Sequence, residues 1–135
     1  MRYMMLIYTK ETESGPTPEE AAQIKAAHYT VIQEATRKGV FQGAEPLAPT
    51  TTATTVRVQN GTSLITDGPF AETKEQLAGY YILECENLDE AIDWAAKIPT
   101  ACKGGEGCIE IRPLPGLPAR SGTEAIAGHA VTLNG

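Results

Sequence analysis

Arg2-Tyr3-Met4-Met5-Leu6-Ile7-Tyr8-Thr9 is apolar at nearly every position between its ends. A strand sends alternate side chains to opposite faces, so Tyr3, Met5 and Ile7 look one way and Met4, Leu6 and Tyr8 the other. Both sets are apolar, which predicts a strand covered on both sides of a sheet. The run is too short to span a bilayer. Lys10 and Glu11 follow it without a small-residue cleavage site, so it does not read as a signal peptide.

Outward from this strand, Gly15-Pro16 breaks the chain and Thr17-Pro18-Glu19-Glu20 starts a helix. Thr17 suits the cap, Pro18 the first helical position and Glu20 the reciprocal place of a capping box. Ile24, Ala27, His28, Val31, Ile32 and Ala35 form one stripe, and Lys38-Gly39 supplies the stop. Residues 44–55, rich in Pro, Thr and Ala, read as an irregular connection. Val56 to Gln59 and Ser63 to Thr66 flank Asn60-Gly61, the pair that a type I′ hairpin turn favours. Gly79 to Cys85 is a further strand. Asn87-Leu88-Asp89-Glu90 opens a second helix with Leu88, Ala91, Ile92, Ala95 and Ala96 as its apolar face, closed by Pro99. After a glycine loop, residues 108–112 alternate Ile109 and Ile111 against Cys108, Glu110 and Arg112.

The order β-α-β-β-β-α-β is that of an α+β, ferredoxin-like sandwich with an antiparallel sheet and one extra hairpin strand. Two helices cover only one face of such a sheet. The first strand is apolar on both, so the uncovered face predicts a homodimer.

Bulk properties narrow the function. The chain has 135 residues, 41% hydrophobic and 21% charged, enough for one domain with its own core. Eleven basic against 17 acidic residues give a net charge of −6, a balance that repels nucleic acid. No apolar segment suits a membrane. Cys85, Cys102 and Cys108 have no zinc-like spacing and read as thiols of a reducing cytoplasm, with a Cys102–Cys108 disulfide as the alternative. Phosphate-binding loops, serine elbows and paired metal-ligand histidines are absent from the sequence, so no cofactor and no metal are expected.

Asp67-Gly68-Pro69-Phe70-Ala71-Glu72-Thr73-Lys74-Glu75 carries more ionisable groups than a turn needs. With Tyr3 to Tyr8, Thr52 to Arg57, Thr66 to Gln76, Gly79-Tyr80-Tyr81, Leu88 to Ala91, Trp94 to Ala96 and Glu110 to Pro113, it is similar to the DGPF group of YCII-related proteins. The resemblance covers residues 1–113 and leaves 114–135 as a Pro/Gly/Ala-rich C-terminal extension. It implies a dimeric α+β barrel in which two ferredoxin-like units enclose a cleft. It also implies a bacterial, cytoplasmic protein of no settled activity, some relatives being linked to sigma factors. Shorter relatives carry a histidine on the first helix, proposed as half of a His-Asp acid-base centre. His28 holds the corresponding place. The aspartate does not carry over, and Asp67 is the substitute.

Two readings follow. One is a cofactor-independent small-molecule enzyme of isomerase, lyase or hydrolase type. His28 is its base, Asp67 the partner or acid, and Arg57 or Lys74 steadies a small polar or anionic substrate, with Glu72 and Tyr80 lining the cleft. The other is a non-catalytic ligand-sensing or protein-binding module linked to sigma-factor regulation. Each residue also has a plainer role: His28 as a half-buried bonding group, Asp67 as a turn residue, Glu72 and Lys74 as a solvated face, and Tyr80 as packing.

Overall fold

The computed structural model describes residues 1–100 and 107–116. Cys102, His129 and nearly all of the expected C-terminal extension lie outside the described residues. β1 (Arg2–Thr9) is followed by α1 (Pro18–Arg37), β2 (Phe41–Pro46), β3 (Thr54–Gln59), β4 (Thr62–Asp67), β5 (Gln76–Glu84), α2 (Leu88–Ala95) and β6 (Gly107–Leu114). β2, β5, β1 and β6 lie side by side in that order, every neighbouring pair antiparallel. This is the ferredoxin-like α+β arrangement.

β1 takes a central place because it can be apolar on both sides. Tyr3, Met5 and Ile7 are buried with Tyr81 and Leu83 of β5, Val31 and Ala35 of α1, and Ala91 and Trp94 of α2. Both helices therefore cover the same face. Register puts Met4 beside Ile82 and Arg112, and Leu6 beside Tyr80 and Glu110, on the opposite face. Among the described residues no helix covers that open side, where Met4, Leu6, Tyr8, Tyr80 and Ile82 are half-buried.

α1 begins as the sequence predicts. The Thr17 hydroxyl accepts from the Glu20 amide at 3.1 Å while the Glu20 carboxylate accepts from the Thr17 amide at 3.1 Å, satisfying two donors that the helix cannot use itself. α2 is capped by the Asn87 side chain, which accepts from the Glu90 amide at 2.9 Å. Its buried face differs from expectation. Ala91, Trp94 and the following Ile98 point inward, whereas Leu88 and Ile92 are exposed. The spacing i, i+3, i+7 through Trp94 selects the face, because that large ring gains most from burial. Outside, Lys97 lies over the Trp94 ring at 4.8 Å and reaches the Glu34 carboxylate at 3.2 Å, which holds Glu34 below the usual carboxylate range.

Two departures concern the strands. β2 lies within and just ahead of the stretch read as irregular. Gly43 and Pro46 hide it, since both are depleted in strands. β2 is an edge strand, where proline is tolerated, and its register shifts between Phe41 and Gly43. The hairpin forms where expected, with Asn60 and Gly61 at φ +52° and +78°. It does not join the main sheet, however. β3 and β4 form a separate two-stranded sheet, and β2 takes the place expected of a hairpin strand. β2 also approaches β5 closely: a Cβ on Gly79 would lie 2.7 Å from the Glu45 carbonyl oxygen.

Candidate functional site

Residues 67–75 form the return from the hairpin to β5. Asp67 ends β4 opposite Thr54 and is exposed. Gly68 follows at φ +104°, a conformation that side chains rarely adopt. Its amide donates to the Ala53 carbonyl at 2.7 Å, and its carbonyl accepts from the Thr55 hydroxyl at 2.8 Å. The Asp-Gly-Pro sequence thus closes the root of the hairpin. Arg57 reaches back to the Phe70 carbonyl at 3.5 Å.

Glu11, just past β1, anchors that root. Its carboxylate accepts from the Thr50 amide at 3.0 Å and the Thr50 hydroxyl at 2.6 Å. Its own amide donates to the Gln76 side chain at 2.8 Å. A cleft of about 250 Å³ opens here, lined among others by Glu11, Thr50, Pro69, Ala71, Glu72 and Thr73. Glu72 thus lines a surface cleft of the single subunit, not the barrel cleft for which it was expected. Lys74 is exposed and forms no ion pair among the described residues.

His28 sits elsewhere. It faces the helix-covered side of the sheet, where Nδ1 lies 2.7 Å from the Tyr81 hydroxyl. Tyr81 is 2% exposed and packs edge-on against Phe41, with ring centres 6.4 Å apart. Burial lowers the His28 pKa below its ordinary 6.5, so the imidazole is neutral at pH 7. Burial also pushes the Tyr81 phenol up to about 12, so it stays protonated. The phenol oxygen is also 3.5 Å from the His28 carbonyl. If the phenol donates to that carbonyl, Nδ1–H donates to the phenol oxygen and Nε2 keeps a free lone pair. If the phenol donates to Nδ1, Nε2 carries the proton.

The expected site residues thus fall into separate groups. His28 is bound to Tyr81, and no hydrogen bond or ion pair joins it to Asp67 among the described residues. Tyr80, adjacent to Tyr81, lies on the opposite, open face of the sheet. Arg57, Asp67, Glu72 and Lys74 belong to the hairpin and its return. Tyr81 is the residue that sequence reasoning missed as a partner. Strand parity held the signal, because Tyr81 alternates with Leu83 and Cys85 toward the face that the His28 stripe covers. Among the described residues, no group of three His, Cys, Asp or Glu side chains could hold a metal ion.

Cys85 is buried and its thiol pushed up to about 11 by lost hydration. Cys108, an exposed free thiol, is raised by partial burial and by Glu75. Neither is primed as a nucleophile. No helix of the described residues is long and apolar enough to cross a membrane.

This sandwich, with the Asp-Gly-Pro-Phe return on it, matches the YCII-related domain over residues 1–115. The chain belongs to the YCII-related family. An uncharacterized protein of Rhizobium meliloti (strain 1021) is 38% identical over 115 residues, covering 84% of this chain and 92% of that protein. The similarity therefore runs through the sandwich, the hairpin and the motif together.

Proposed function

We propose that this YCII-related protein is a cofactor-independent small-molecule enzyme working by proton transfer, with His28 as the base and Tyr81 as the group that sets its tautomer. The observation carrying this reading is the 2.7 Å contact between a half-buried, neutral imidazole and a buried phenol. A general base must be uncharged and keep a free lone pair. Burial favours the uncharged imidazole, and the arrangement in which Tyr81 donates to the His28 carbonyl leaves Nε2 free to act as that base. Asp67 has no bond to His28 within the subunit, so we assign it to the hairpin rather than to a dyad. Arg57, Glu72, Lys74 and Tyr80 are proposed ligand contacts for a small polar or anionic molecule. We further propose a cytoplasmic homodimer, closed over the open sheet faces as a dimeric α+β barrel. The half-buried apolar residues of that face and the two free thiols support it.

A second reading, a non-catalytic ligand-sensing or protein-binding module, is favoured by the bare apolar hairpin beside the acidic cleft. One experiment separates the two. A metabolite library is screened by thermal shift, since a ligand preferring the native state raises its melting point. Hits are then incubated with wild type and with His28→Gln. Conversion by wild type that His28→Gln abolishes, with binding retained, supports the enzyme. Hits that bind equally to both and emerge unchanged leave the sensing module.

A further inference from the structure

The hairpin β3–β4 sorts its side chains by face. Cross-strand pairing places Thr54 opposite Asp67, Val56 opposite Ile65 and Val58 opposite Ser63 on one side. Thr55, Arg57 and Gln59, with Thr66, Leu64 and Thr62 opposite them, take the other, where Leu64 is the one apolar residue. Apolar and polar faces separated in this way mark a strand pair with one side covered. Here no described residue covers the apolar side. Val56, Val58 and Ile65 are 58%, 68% and 71% exposed. The two strands contact chiefly each other, and an isolated hairpin is marginal in water. Its root, by contrast, is pinned by Glu11, Thr50 and Gln76. The hairpin is an arm with a fixed base and, among the described residues, no cover.

We propose that this arm docks on a second copy of the chain, laying Val56, Val58 and Ile65 against the open face of the partner's four-stranded sheet. The two-fold dimer gives each subunit one arm to place and one to receive. This rests on the two-copy assembly proposed above and names the element that holds it together.

Area favours a second copy. With strands about 4.8 Å apart and about 3.3 Å per residue, the open sheet face spans roughly 500 Å² and the arm roughly 200 Å². A stable dimer buries about 800 Å² per partner, a size that the two surfaces approach only in combination. Charge agrees. Asp67 is the single charge among the paired residues of the arm's apolar face. The open face presents Arg2 and Arg112, neither in an ion pair among the described residues. A two-fold interface is self-complementary, so one contact covers both bare surfaces of both subunits.

Sedimentation equilibrium of wild type and of the Val58→Asp, Ile65→Asp double variant tests this, with Leu88→Asp on the exposed side of α2 as control. Wild type and control sediment as dimers. The double variant dissociates at least roughly 100-fold more readily, the effect of an unpaired charge buried at an interface, with unchanged circular dichroism. Arg112→Asp weakens the dimer and Asp67→Arg added to it restores the association. A double variant as dimeric as wild type overturns arm docking and leaves a sheet-face dimer standing. A monomeric wild type overturns both, while the His28 assay stays independent. If the double variant fails to fold, Val58→Cys gives the same decision. Its alkylation is slow in concentrated protein and fast on dilution, and a rate independent of concentration overturns the proposal.

Discussion

The four-stranded sheet and the two-stranded arm share one pattern, apolar residues at every second position, and differ in what lies over them. Met5 and Leu83 in the sheet are wholly buried beneath both helices. Ile65 and Val58 in the arm face outward, with no described residue of their own subunit above them. Alternation therefore tells which side of a strand seeks cover and is silent about where the cover comes from. In the sheet it comes from the segments next in the chain. In the arm no neighbouring described segment supplies it, because the return through Asp67-Gly68-Pro69 is bonded to the Thr55 and Arg57 side before β5 begins.

The sharpest break between the two regions is in stability. Leu83→Ala leaves a cavity under both helices and is expected to cost about 2–5 kcal/mol in denaturant unfolding. Gly79→Ala places a methyl group against the Glu45 backbone and is expected to cost about 1–3 kcal/mol, since two main chains must part to admit it. Thr17→Ala removes half of the capping box on α1 and lowers stability by about 1 kcal/mol. At the far end of the scale, Val58→Ser changes the stability of the separated subunit by no more than about 0.5 kcal/mol, as a solvent-facing substitution does. A loss matching that of Leu83→Ala would show the arm covered within its own subunit and would erase the contrast.

The helix-covered side also carries a pH dependence that the arm lacks. Burial holds His28 below its ordinary 6.5, so the unfolded chain takes up the proton first. The stability it contributes is present above pH 6.5 and is lost as pH falls through the lowered pKa. Melting midpoints measured from pH 7.5 to 5 are expected to decline more steeply in wild type than in His28→Gln. Equal slopes would mean that the imidazole is as well hydrated folded as unfolded.

Much of the architecture was legible in the letters. Both helix starts, the hairpin turn, the central strand with two apolar sides and the placement of both helices on one face follow from capping chemistry and periodicity. These are local effects, acting within a few residues. β2 was not legible, because Gly43 and Pro46 look like a loop until an edge position makes them permissible. Nor was the inward turn of α2 through Trp94, since Leu88 and Ile92 are equally apolar and only the packed sheet chooses between the two faces.

The candidate site divides along the same line. His28 was visible as a polar residue on an apolar helix stripe. Its partner was not, because Tyr81 lies 53 residues away and is set on that face by the register of β5 with β1. By itself the sequence determined which side chains seek burial and where each element begins, since those preferences reside in single residues and their near neighbours. Tertiary structure alone decided which surfaces meet: Tyr81 rather than Asp67 at His28, β2 rather than the hairpin beside β5. Such choices depend on strand order and register, which bring distant segments within bonding distance.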